Sequence, residues 1–105
     1  MSRGTVDLEE SLYIPTADGE VVNDQNGFAA IGMKSTDISA TKVATLQLKT
    51  KHGDWSNAQE GGSDITADIA ANTPVKFIFR TKPKLYFRVS VAAGATGNVS
   101  YEVEN

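Results

Sequence analysis

"KLYFRVSV" (84–91) decides how this chain is read. Leu85, Phe87, Val89 and Val91 fall on one side of an extended backbone, and Tyr86, Arg88 and Ser90 on the other. Successive side chains of a strand point to opposite faces, so this alternation marks a strand with one buried face. A helix would space its apolar positions three or four apart. The device recurs on both sides. "VKFIFR" (75–80) sets Val75, Phe77 and Phe79 against Lys76, Ile78 and Arg80. "GNVSYEVEN" (97–105) alternates through Val99, Tyr101 and Val103. "TKVATLQLKT" (41–50) places Ala44, Leu46 and Leu48 opposite Val43, Thr45, Gln47 and Lys49. "GFAAIGM" (27–33) is a short apolar run, buried if it is a strand. The β-branched and aromatic content of these runs suits a pleated surface.

Between the runs lie "GGSD", "ANTP", "TKPK" and "AAGATGN", which are turn chemistry. "SDITADIAANTP" (63–74) carries both signals. Ser63 or Asp64 would cap a helix that Pro74 stops, while Ile65, Ala67, Ile69 and Ala71 alternate as in a strand; the strand is preferred. The expected fold is therefore all-β, a sandwich or jelly roll of short antiparallel strands over residues 25–105. Its inward set is Ala44, Leu46, Leu48, Val75, Phe77, Phe79, Leu85, Phe87, Val89, Val91, Val99, Tyr101 and Val103.

The chain has 105 residues, enough for one domain with a single thin core. Its net charge of −3 argues against general nucleic-acid binding. It has no cysteine, which excludes disulfides and thiolate metal sites. No stretch approaches the length of a membrane span, and "MSRGTVDLEE" lacks the apolar run of a signal peptide. A soluble protein made in the cytoplasm is expected. Charge is uneven: the leading segment is acidic, with Asp7, Glu9 and Glu10, and the cations lie almost all downstream. Residues 1–24 have no period and contain Pro15 and Asp18-Gly19, so they read as an extended acidic arm ordered against a partner, or as a frayed terminus.

"KHGDWSNAQEGGSD" (51–64) holds the only His and the only Trp. His52 beside Asp54 suggests acid–base work, but a nucleophile motif is missing and a lone turn histidine is ordinarily idle. No cofactor is expected. Zinc lacks ligands, and "NDQNG" (23–27) or Asp64 with Asp68 does not match the closed calcium loop. Trp55, Tyr86 and Tyr101 could stack on sugar rings, or Trp55 could cap the core. Lys76, Arg80, Lys82, Lys84 and Arg88 gather around one hairpin-like region, either as solubilising charge or as a dock for an acidic partner. Asn98-Val99-Ser100 fits a glycosylation triplet, read as coincidence.

Residues 46–58, 65–79 and 84–105 together resemble small virion proteins of tailed bacteriophages. The residues that carry the likeness are Gly53-Asp54-Trp55, Tyr86-Phe87-Arg88-Val89 and Gly94-Ala95-Thr96-Gly97. The resemblance covers about residues 41–105, and it departs where His52-Gly53-Asp54 replaces the Asp-Gly that precedes Trp in the pattern. It implies a non-enzymatic capsid decoration or cement protein in the virion, bound to the major capsid protein or other virion subunits. It also implies a homo-oligomer, with a trimer favoured, and neither nucleic acid nor membrane as partner. The partner-binding residues expected are Asp7, Glu9, Glu10, Tyr13, Lys76, Arg80, Lys82, Lys84 and Trp55. The alternative is a glycan-binding β-sandwich module of a phage tail fibre or adhesin.

Overall fold

A computed structural model describes residues 2–22, 27–81 and 84–104. Twelve strands follow one another: β1 Ser2–Asp7, β2 Tyr13–Ile14, β3 Glu20–Val22, β4 Gly27–Lys34, β5 Lys42–Lys49, β6 Ser56–Asn57, β7 Gln59–Glu60, β8 Ser63–Asp64, β9 Thr66–Ile69, β10 Val75–Thr81, β11 Leu85–Val91 and β12 Asn98–Glu104. The fold is all-β and its strand ladders are antiparallel, as the alternation requires. Of the segment at 63–74, residues 63–64 and 66–69 are strand and no helix forms: Ile69 is buried, and Ile65 and Ala67 pack against the core.

One sheet runs β1-β12-β4-β10. The other runs β2-β11-β5-β6, with β3 also on β11 and β9 also on β5. Their inward faces share one hydrophobic cluster. Phe79 of the first sheet meets Phe87 of the second with ring centroids 5.4 Å apart, a tilted contact that favours an aromatic pair. Most of the expected inward set lies in this cluster or packs on it. Leu85 is the exception: it is half-buried and outside the cluster.

The leading segment is not an arm. β1 pairs with β12 along its whole length, from Ser2↔Val103 to Asp7↔Asn98. β2 and β3 both pair with β11. Val6, Leu8, Ile14 and Val22 are buried in the common core. The expectation of an extended acidic arm over 1–24 is corrected on this point for the described residues. The apolar positions are too sparse to show a period, yet Val6, Ile14 and Val22 are inward residues of ladders and Leu8 follows in the turn after β1.

A second correction concerns the cations. β10 and β11 are consecutive but do not pair with each other; β10 joins β4 and β11 joins β5. Lys76 and Arg80 therefore face outward from one sheet, and Arg88 outward from the other. Lys84 follows β10 at a turn with φ of 61°, and Lys82 lies outside the described residues.

The crossing from β4 to β5 is stitched to the loop before β12. The buried Ser35 hydroxyl accepts from the Ile38 amide at 3.0 Å. The Asp37 carboxylate accepts from the Asn98 amide at 3.0 Å, and the Ser39 hydroxyl from the Thr96 amide at 2.8 Å. These bonds satisfy groups that the change of sheet would otherwise strand.

Candidate functional site

Two outward faces carry the residues that the sequence singled out. On the second sheet, β11 presents Tyr86 and Arg88, and β5 presents Gln47 and Lys49 directly opposite. The Arg88 guanidinium carbon lies 3.9 Å from the Tyr13 ring centroid and 4.2 Å from that of Trp55. Its Nε donates to Gln47 Oε1 at 2.8 Å, and a terminal nitrogen donates to the Ala17 carbonyl. Lys49 Nζ sits 5.4 Å from the Trp55 centroid and 5.2 Å from that of Tyr86. The result is a continuous stack of Tyr13, Arg88, Trp55, Lys49 and Tyr86, bound by cation–π attraction.

The loop at 16–19 closes one side of this stack. Gly19 donates to the Thr16 carbonyl at 3.1 Å with φ of 75°. A Cβ there would stand 2.4 Å from the Trp55 ring and 2.7 Å from the Phe87 carbonyl. Glycine is needed twice over, for the backbone turn and for the close approach. Trp55 is thus half-buried under its own chain, outside the core cluster and outside the sugar-platform geometry of an open ring face.

The segment at 51–64 is an excursion between β5 and β9. Leu46 bonds to Ala58 through its carbonyl at 2.8 Å and to Ile65 through its amide at 3.1 Å, so β6 and β9 follow one another along the same edge of β5. β7 and β8 project as a hairpin closed by Gly61 and Gly62, both at positive φ, the twist a two-residue hairpin loop requires. A polar chain runs along it: Gln47 donates to Asn57, Asn57 to Asp64, and Gln59 to Asp64, each at 3.0 Å. His52 and Asp54 are exposed in the turn that follows β5. Among the described residues, no group of three or more His, Asp or Glu is placed to hold a metal ion. The 23–26 part of the loop considered for calcium lies outside the described residues.

The outer face of the first sheet is built differently. In register across it stand Arg3, Glu102, Gly32 and Lys76, and one row along stand Glu104, Ala30 and Ile78. Arg3 pairs with Glu102 at 3.6 Å and Lys76 with Glu104 at 3.9 Å. The small residues Gly32 and Ala30 sink the middle of the face into a trough of about 600 Å³, walled by these ion pairs, Lys34 and Ser100. Beyond the trough, Phe28 is 59% exposed and Ile78 63%. Arg80 lies over the Phe28 ring at 5.6 Å.

The structure therefore divides the expected partner-binding residues. Tyr13 and Trp55 come together around Arg88, which alternation alone could not reveal. Lys76 and Arg80 share the other face. Asp7, Glu9 and Glu10 form the turn after β1, where the Asp7 carboxylate accepts from the Glu9 amide at 2.9 Å. Sequence reasoning missed Phe28, Ala30 and Gly32; the run "GFAAIGM" shows small residues at two successive outward positions, Ala30 and Gly32, a signal that was present. No protein-family description, curated protein or solved structure matches this chain.

Proposed function

We propose that this chain is a non-enzymatic virion structural protein of a tailed bacteriophage, a capsid decoration or cement protein that docks through the outer face of its first sheet. The carrying observation is the trough over Gly32. Glycine inside a strand weakens it by about 0.5–1 kcal/mol relative to alanine. Nothing local demands it here, because an added Cβ would meet its nearest neighbour only at 4.0 Å. The strand gives up stability to keep a recess open beside two exposed apolar side chains, which is how docking faces differ from ordinary solvated sheet.

The strand order supports the same reading. Setting aside the β7-β8 hairpin and taking β2 with β3, and β6 with β9, as single ladder positions leaves eight, ordered 1-8-3-6 in one sheet and 2-7-4-5 in the other. We read this as a jelly roll, an architecture used in viral capsid and lectin domains. Cement acts by burying surface across a joint, so mass action stabilises the assembled lattice. The trimeric state and the major capsid protein as partner belong to this proposal through the resemblance. Gradient-purified particles from the genome that encodes the chain test it by quantitative mass spectrometry. A fixed ratio to the major capsid subunit is expected; absence from the particles overturns it.

The second reading, a glycan-binding module, is favoured by the stack of Tyr13, Trp55 and Tyr86 on the opposite sheet. It predicts quenching or enhancement of Trp55 fluorescence by a glycan. The packing of Arg88 and Gly19 against Trp55 weighs against it.

A further inference from the structure

Strand β10 ends the first sheet, and among the described residues no strand pairs with it on the side away from β4. Such an edge is a template for an added strand. No proline interrupts Val75–Thr81, and Ile78, at its centre, is largely exposed. The edge is nevertheless closed to a copy of itself. Two β10 strands laid antiparallel over their full length would centre on Ile78 and set each Lys76 against the other's Arg80, a like-charge opposition that disfavours pairing.

The same row welcomes opposite charge. Lys76, Ile78 and Arg80 all project from the outer face, with cations on both sides of an apolar residue. The Lys76–Glu104 contact is long and half-exposed, so it leaves the ammonium available. Arg80 is steadied over Phe28 and remains exposed. Among the described residues, Glu104 touches this row through its long contact with Lys76, but it and Glu102 belong to β12, two strands inward, and Asp7, Glu9 and Glu10 lie at the end of β1, the opposite edge.

We propose that β10 captures an extended acidic segment of another protein by antiparallel strand addition, with carboxylates opposite Lys76 and Arg80 and an apolar side chain against Ile78. Main-chain hydrogen bonds supply the pairing, and the alternating side chains supply the choice of partner. This inference uses the same face as the proposed function but not the virion reading, and it is tested with the isolated protein.

The probe is a fluorescein-labelled peptide of threonine and valine, with glutamates two positions on either side of a central valine. Its counterpart carries lysines there. Anisotropy should show tighter binding of the glutamate peptide, reduced about tenfold or more in the K76E/R80E variant. That variant should instead prefer the lysine peptide, which also shows that it is folded. Amide hydrogen exchange in residues 75–81 should slow when the glutamate peptide binds. Equal binding of the two peptides, an unchanged preference in the variant, or protection falling outside β10 would each overturn the proposal.

Discussion

Arg88 is clasped between Tyr13 and Trp55, at 3.9 Å and 4.2 Å from their ring centroids. The three residues come from segments remote in sequence, and the loop at 16–19 closes over them by accepting an Arg88 hydrogen bond at Ala17. The clasp ties β2, β11 and the 51–64 excursion into one outer layer. Its planar guanidinium can stack on rings and donate in its own plane at the same time, which an ammonium cannot.

Arg88→Lys should therefore behave nearly as Arg88→Ala, each costing about 1–2 kcal/mol. A urea melt of the variants checks this. A double-mutant cycle between Arg88 and Trp55 should give a coupling of about 0.5–1 kcal/mol. Additive effects would mean that the stack contributes packing alone.

Phe87 is fully buried and faces Phe79 across the two sheets. Phe87→Ala should cost about 3–5 kcal/mol through lost burial and the cavity left behind. Thermal and denaturant midpoints should both fall. An unchanged midpoint would contradict the phase of β11.

Gly32→Val should separate folding from docking. Valine suits a strand better than glycine and its Cβ has room on this face, so stability should rise by about 0.5–1 kcal/mol. The same side chain raises the floor of the trough and narrows it. Particle binding should be lost while the denaturant midpoint is held or raised. A variant that melts early would show that glycine serves the sheet itself.

Deleting residues 1–20 should abolish the fold. The truncation removes β1 and β2 and takes Val6, Leu8 and Ile14 from the core, far more than the stability of a domain this size tolerates. Amide chemical-shift dispersion should collapse. A dispersed spectrum from the truncated chain would restore the idea of a separable arm.

β1, with Val6 as its one large apolar residue, shows no alternation, whereas β5, β10, β11 and β12 were legible because seven or eight residues of it leave one interpretation. That is why Phe77, Phe87, Val99 and Val103 were placed inward from sequence. β2 and β3 were not legible, since two or three residues carry no period; Ile14 and Val22 are buried only because β11 receives them. Sheet membership was hidden too. "VKFIFRTKPKLYFRVSV" reads like a hairpin, yet its halves go to opposite layers, and local pattern does not record which partner a strand takes. The Arg88 clasp depends on register between segments far apart, so Tyr13 and Trp55 could be suspected separately but not joined.

The pairing of β1 with β12 governs the order of events during synthesis. The first strand leaves the ribosome early but cannot complete its ladder until residues 98–104 have followed. Its inward residues, Val6 among them, stay uncovered on that side until β12 has been made, and non-local closure of this kind is slow. The nascent chain thus depends on whatever shields it until β12 emerges. The same pairing leaves both ends of the described chain on neighbouring strands at one edge, so a tag or partner domain fused at either end would project from the same corner of the molecule.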